Sequence, residues 1–189
     1  YKGGFAIRAV GKIYFYNNAG DLQGSPVDQS TSGSSYDAGR GDGTRIFGHI
    51  NSPYVYLVGK ITTGPIVRVS VWDSRDRSFV ASADVSEGGF SGDFDRANGA
   101  VDALDRFVIG WVCKPAGYTQ QQVATRVMAL NGATKSITPL TSSFFPFINH
   151  ATNDIRTLQM TLAMTTKQIL VAAKGEIIIS KTRDEELVY

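Results

Sequence analysis

The sequence holds little that would staple, charge or chemically arm it. Cysteine occurs once in 189 residues, at Cys113, which excludes an internal disulfide framework. Its flanks, "VIGWVCKP", are apolar, so a buried and inert thiol is expected. Charged residues make up 19% of the chain, below the usual quarter, and the net charge is only +2. No dense basic run occurs, so direct nucleic-acid binding by this segment is not expected. No uncharged apolar run approaches the ~18 residues of a membrane span, and no signal-peptide pattern is visible.

Histidine occurs twice, at His49 and His150, far apart and without metal-ligand spacing to Cys, Asp or Glu. "GFSGD" (89–93) is one position off a nucleophile elbow and lacks its strand-to-helix context. "NGATKS" (131–136) lacks the glycines and the Gly-Lys pair of a phosphate loop. Asp93 with Asp95, and Asp102 with Asp105, are carboxylate pairs that fit acid–base work or a hard cation. A polar loop and a solvated helix face account for them better. The expectation is no metal, no cofactor and no enzyme.

What is present is β-forming text. A length of 189 residues with 42% hydrophobic content suits one domain, residues 1–189. Strands are expected at 5–16, 54–61, 66–73, 78–85, 106–113, 157–166, 168–182 and 185–189. Residues 66–73 and 78–85 form a hairpin around "SRDR", with Val67, Val69 and Val71 on one face. Residues 17–26 read as a turn region, and 29–44 and 87–99 as long Gly-rich loops. The loop 29–44 is expected to be exposed and the least ordered internal segment, with Tyr36 and Ala38 its only apolar residues.

Two short helices are expected. Thr119 and Gln122 fit a capping box, Val123, Val127 and Leu130 share a helical face, and Gly132 supplies a stop. Residues 100–106 place Val101, Leu104 and Val108 in helical register. The whole reads as all-β with two short helices: an antiparallel, jelly-roll-like sandwich with long surface loops or an insertion. Alternation predicts burial of Leu158, Met160, Leu162, Ile169, Val171, Ile177 and Ile179.

Two features point outward. Arg40, Gly41 and Asp42 form an Arg-Gly-Asp tripeptide inside the glycine-rich loop, able to reach a metal-bearing receptor cleft. Trp72 and Tyr54, in strands, offer an aromatic platform for a sugar or receptor.

Three blocks resemble the capsid proteins of picorna-like RNA viruses. "YKGGFAIRAVGKIYFY" is similar to a family strand through Tyr1, Lys2, Gly3 and Arg8. "SSFFPFINH" (142–150) resembles an apolar strand ending in a Pro-aromatic pair, Pro146 and Phe147. "IIISKTRDEELVY" (177–189) resembles the last strand pair, its acids marking the turn into the final strand, with Arg183 where the family usually has Gly. The blocks cover about 50 residues of the sequence. The stretch 17–141 exceeds the family's spacing, which a protruding insertion would explain. The resemblance implies a structural subunit of an icosahedral virion. Its partners would be copies of itself, other capsid proteins and a host receptor. Such coat proteins are cut from a polyprotein, in keeping with a first residue other than Met. The alternative is a carbohydrate- or receptor-binding β-sandwich, such as the head of a phage adhesin or fibre.

Overall fold

The computed structural model describes residues 1–36, 44–62, 66–87, 90–115, 122–143, 154–165, 168–179 and 182–188. Side chains are described for 1–36, 44–62, 66–87, 97–113, 123–143, 164–165 and 168–169.

The first sheet is β1 (Gly4–Ala9), β2 (Lys12–Asn17) and β3 (Val27–Asp28), in that order. The second is β4 (Thr44–Gly48), β5 (Tyr54–Lys60), β6 (Val67–Asp73) and β7 (Phe79–Asp84). The third is β8 (Phe90–Val101), β9 (Arg106–Pro115), β10 (Gln122–Asn131) and β11 (Ser136–Pro139). The fourth is β12 (Asp154–Met164), β13 (Ile169–Ile179) and β14 (Thr182–Val188). All pairings are antiparallel. Among the described residues no helix is long and apolar enough to cross a membrane, which says nothing of strands.

The fold is an all-β antiparallel sandwich. Val67, Val69 and Val71 of β6 face Phe107, Ile109 and Trp111 of β9, with Tyr56, Val58, Ala124, Met128 and Leu130 completing the core between the second and third sheets. Period-2 alternation then sends Trp72, Val55 and Leu57 to the opposite face of the second sheet. There they meet Ile13 and Phe15 of β2. The second sheet is thus covered on both faces. β12 lies against β8 and β9 of the third sheet.

Every strand pairs with its sequence neighbour, which makes each sheet a meander. A jelly roll is built from Greek keys, in which strands distant in sequence pair. That connectivity is not among the pairings of the described strands.

Both expected helices are strands or turns. Residues 122–131 form β10, and 100–106 form the end of β8 and the turn into β9. The expected loop 87–99 is largely β8, whose glycines and acids are accommodated by register shifts near Asp95. Gly99 has a packing role: a Cβ there would lie 2.3 Å from the Phe47 ring, so only glycine lets β4 approach β8. At the chain's end, Asp184, Glu185 and Glu186 lie inside β14, opposite Ile177, Glu176 and Gly175, rather than in the turn before it. Ile169, expected inside, is 39% exposed. The other six residues of that buried set, and the block 144–150, fall outside the described side chains.

Residues 5–16, expected as one strand, are a hairpin. Val10 and Gly11 both have positive φ, 48° and 74°, as a two-residue type I′ turn requires. Glycine adopts this freely; a β-branched residue does not. Val10 is also 97% exposed, so it gains nothing by packing. Val10→Asn should stabilise the protein by about 1 kcal/mol, read as a higher urea midpoint with unchanged slope. An unchanged or lower midpoint would refute the strain.

Candidate functional site

The β1–β2 hairpin creates the most distinctive surface. Its register sets Phe5 opposite Tyr16, Ile7 opposite Tyr14 and Ala9 opposite Lys12. Ile13 and Phe15 point to the core, so Tyr14 and Tyr16 point away from it. Leu22 bridges to the other side of Tyr16. Two rows result, Phe5–Tyr16–Leu22 and Ile7–Tyr14, on the outer face of the first sheet. Phe5, Ile7 and Leu22 are each nearly half exposed. The Phe5 and Tyr16 rings stack at 5.0 Å and 9°. An exposed apolar group of this kind marks a contact surface more often than scattered single residues do.

Beside it runs a cleft of about 190 Å³, lined by Tyr1, Phe5, Ala6, Ile46, Phe47, Gly48 and Val55. It opens between β1 and β4, and both are edge strands of their sheets. Residues 1–20 and 44–60 contain Lys2, Arg8, Lys12, Arg45 and Lys60 and no Asp or Glu. In the first sheet Lys12 lies opposite Asp28 of β3, and Asp105 reaches Ser52 of the second, so acids stand beside these cations.

The residues singled out from sequence fare differently. Arg40, Gly41 and Asp42 lie outside the described residues, as does His150. His49 serves its own turn, its Nδ1 accepting from the Asn51 amide at 3.2 Å. Trp72 is fully buried, and Tyr54 packs half-buried against the core, so the expected aromatic platform does not form from them. The side chains of Asp93 and Asp95 are outside the described set.

Asp102 and Asp105 are not on a solvated helix face. Asp102 is buried and ion-paired to Arg106 at 2.7 Å. Asp105 Oδ1 accepts from the Ser52 hydroxyl at 2.5 Å and the Tyr56 hydroxyl at 3.1 Å. This cluster ties the β8–β9 turn to the second sheet. It contains no histidine to activate Ser52, and it reads as a structural clasp. Among the described residues no group of three or more His, Cys, Asp or Glu is placed to hold a metal.

The segment 29–36 also departs from expectation. Gln29, Ser32, Ser34 and Tyr36 are buried, and Gln29–Ser32 form a 3₁₀ turn. Polar bonds hold it: Arg8 Nε donates to Gln29 Oε1 at 3.0 Å, and Arg68 Nη1 to Ser34 Oγ at 3.0 Å. The Tyr36 and Ser70 hydroxyls share a bond of 2.5 Å. Residues 37–43 are outside the described residues.

Cys113 is fully buried, as expected, and burial pushes its thiol up to about 12. Burial also raises the Tyr36 and Tyr56 phenols well above their ordinary range, with Asp105 adding to the effect at Tyr56. Each group keeps its proton in the fold at a pH where the unfolded chain releases it. Their contribution is complete below the unfolded values and is lost as pH rises through the folded ones. The denaturant midpoint should stay level from about pH 7 to 8.5 and fall above about pH 9. A thiol reagent should label Cys113 only after unfolding. A level midpoint to about pH 11, or rapid native labelling, would contradict this burial.

The hairpin surface was missed because 5–16 reads as unbroken alternation. Recognising Val10-Gly11 as the turn would have paired Phe5 with Tyr16 and Ile7 with Tyr14. Comparison with protein-family models, with curated proteins and with solved structures gives no match for this chain.

Proposed function

We propose that this protein is a structural module that works by docking, using the outer face of its first sheet, and that its partners include copies of itself. The carrying observation is the apolar face of exposed Phe5, Ile7 and Leu22 with half-buried Tyr14 and Tyr16, beside a strand edge that has no strand partner among the described residues. An open edge and an uncovered apolar face are features that association removes. The specific form proposed is a subunit of a viral shell, located in the virion, with other coat proteins and a host receptor as further contacts. The three sequence blocks support that form. The meander pairing is not the jelly-roll connectivity the resemblance implies, so support for assembly comes from the surface rather than the topology.

The sugar- or receptor-binding alternative is less well supported. A sugar ring stacks on the open face of an aromatic ring, and the Phe5–Tyr16 stack already occupies one face of each.

Sedimentation velocity tests the proposal. The wild-type chain should form concentration-dependent assemblies, and negative-stain images should show particles if the shell form is right. Phe5→Thr with Ile7→Thr should weaken association roughly tenfold to a hundredfold and leave thermal unfolding nearly unchanged. A wild-type chain that stays monomeric at every concentration would end the proposal.

A further inference from the structure

The β1–β2 hairpin fixes which backbone groups of β1 are left open. A two-residue turn makes its flanking residues, Ala9 and Lys12, a pair that exchanges both backbone bonds, and such pairs alternate along an antiparallel ladder. The groups of Ile7 and Phe5 therefore also turn toward β2, and those of Gly4, Ala6 and Arg8 turn to the outer edge. The far side of β2 agrees. The Phe15 carbonyl, opposite Ala6, accepts the Gln23 amide at 2.7 Å, and the Asn17 amide, opposite Gly4, donates to the Asp21 carbonyl at 3.0 Å. On the outer edge Gly4 is already engaged: its amide donates to the Tyr1 carbonyl at 3.2 Å, and its carbonyl accepts the Tyr1 amino group at 3.2 Å. Among the described residues no strand pairs with this edge, and no backbone group bonds the amides and carbonyls of Ala6 and Arg8 there.

We propose that β1 pairs with β1 of a second copy, antiparallel about a twofold axis at Ile7, so that two three-stranded sheets become one continuous sheet. This rests on the reading that the chain self-associates, and it names the edge and the register. Ala6 of each copy then stands opposite Arg8 of the other, and each such pair exchanges both bonds, which satisfies the open groups of both edges at once. Centring the axis on Ala6 would call on Gly4, which Tyr1 holds. Centring it on Arg8 would set two arginines directly opposite each other. Arg8 is the one charged residue of β1, and its Nε donates to Gln29 Oε1 at 3.0 Å, so in the Ile7 register no charge faces a like charge across the pair. On the outer face Ile7 meets the partner's Ile7, and Phe5 meets the partner's Ala9. The Phe5–Tyr16–Leu22 and Ile7–Tyr14 rows of the two copies thereby join into one apolar surface. The contact is isologous and closes at a dimer, to which a shell would add other contacts.

Proline tests the edge without touching the hairpin. The Ala6 amide points outward, so Ala6→Pro removes no bond of the β1–β2 ladder and takes a donor from both edges of the dimer. Sedimentation velocity should show association weakened roughly tenfold or more, with a circular dichroism melt close to wild type. A cysteine reads the axis. Opposed residues of an antiparallel pair that do not exchange bonds lie within disulfide reach, so mild oxidation should link Ile7→Cys chains into covalent dimers. Ala9→Cys, which faces the partner's Phe5, should stay unlinked. Cys113 is fully buried and takes no part. A folded Ala6→Pro protein that associates like wild type, or Ala9→Cys linking as fast as Ile7→Cys, overturns this pairing. If Ala6→Pro does not fold, the two cysteine variants decide alone. If Ile7→Cys stays unlinked while the Phe5→Thr, Ile7→Thr protein loses association, the apolar outer face stands and the edge pairing falls. A wild-type chain that is monomeric at every concentration overturns both.

Discussion

Asp102→Ala should lower stability by about 2–3 kcal/mol, because it strands two turn amides and unpairs Arg106, whose side chain is 34% exposed. The Asp102 side chain is 1% exposed and does four things at once. Its Oδ1 accepts the Leu104 amide at 2.8 Å and the Arg106 amide at 3.0 Å. Its Oδ2 accepts Arg106 Nε at 2.8 Å and pairs with Nη2 at 2.7 Å. Alanine removes all four interactions and strands two turn amides. Asn keeps the Oδ1 acceptor and loses the charge, so Asp102→Asn should cost less, about 1–2 kcal/mol. A domain typically has only 5–15 kcal/mol in hand, so the alanine variant would melt far below wild type. Urea unfolding of the three proteins checks this. An alanine variant within about 1 kcal/mol of wild type would show that the buried charge is not what fixes the β8–β9 turn.

That same turn shows where the sequence was legible and where it was not. Alternation was readable in β6, because its valines face a core on one side and a mixed face lies on the other. It was unreadable in β10, where Val123, Ala124, Thr125, Val127, Met128 and Leu130 are all buried. A strand covered on both faces loses its period-2 signal, and Gln, Ala, Arg, Met and Leu are good helix formers. Local propensity pointed to a helix, and sheet packing overrode it. Residues 100–106 misled for another reason: helical spacing of Val101, Leu104 and Val108 is also what a hairpin turn with one exposed leucine produces. Leu104 is 64% exposed, and the carboxylate of Asp102 makes the turn.

The segment 29–36 failed as a loop because its anchoring is polar. Serines, a threonine and a glutamine give no hydrophobic pattern, yet Gln29, Ser34, Tyr36 and Thr31 bond to Arg8, Arg68, Ser70 and Trp72 in turn, residues distant in sequence. Only the fold brings those partners together. The apolar outer face of the first sheet was hidden similarly: its residues were visible, but their shared side depends on a hairpin whose turn begins with valine.

The joint between the first and second sheets follows from the same polar and apolar contacts, and Trp72 sits at its centre. Trp72 is fully buried among Ile13, Phe15, Tyr36, Val55, Leu57 and Ile61. Its ring meets Phe79 edge-on at 5.9 Å and 67°. Its Nε1 donates to Thr31 Oγ1 at 3.3 Å, reaching the 3₁₀ turn. Trp72→Ala should therefore cost about 3–5 kcal/mol, combining lost burial with the cavity left behind. The loss should be uneven. Hydrogen exchange in β1 and β2 should accelerate most, since Trp72 holds the first sheet, while β9, which packs on the other face of the second sheet, should keep more of its protection. Trp72→Phe, which refills most of the volume but drops the Thr31 bond, should recover more than half of the lost stability. Equal acceleration in β1 and β9 would mean that the two faces of the second sheet unfold as one unit. Under the proposed docking role, loosening confined to β1 and β2 should also weaken self-association, because the apolar outer face belongs to the sheet that Trp72 anchors.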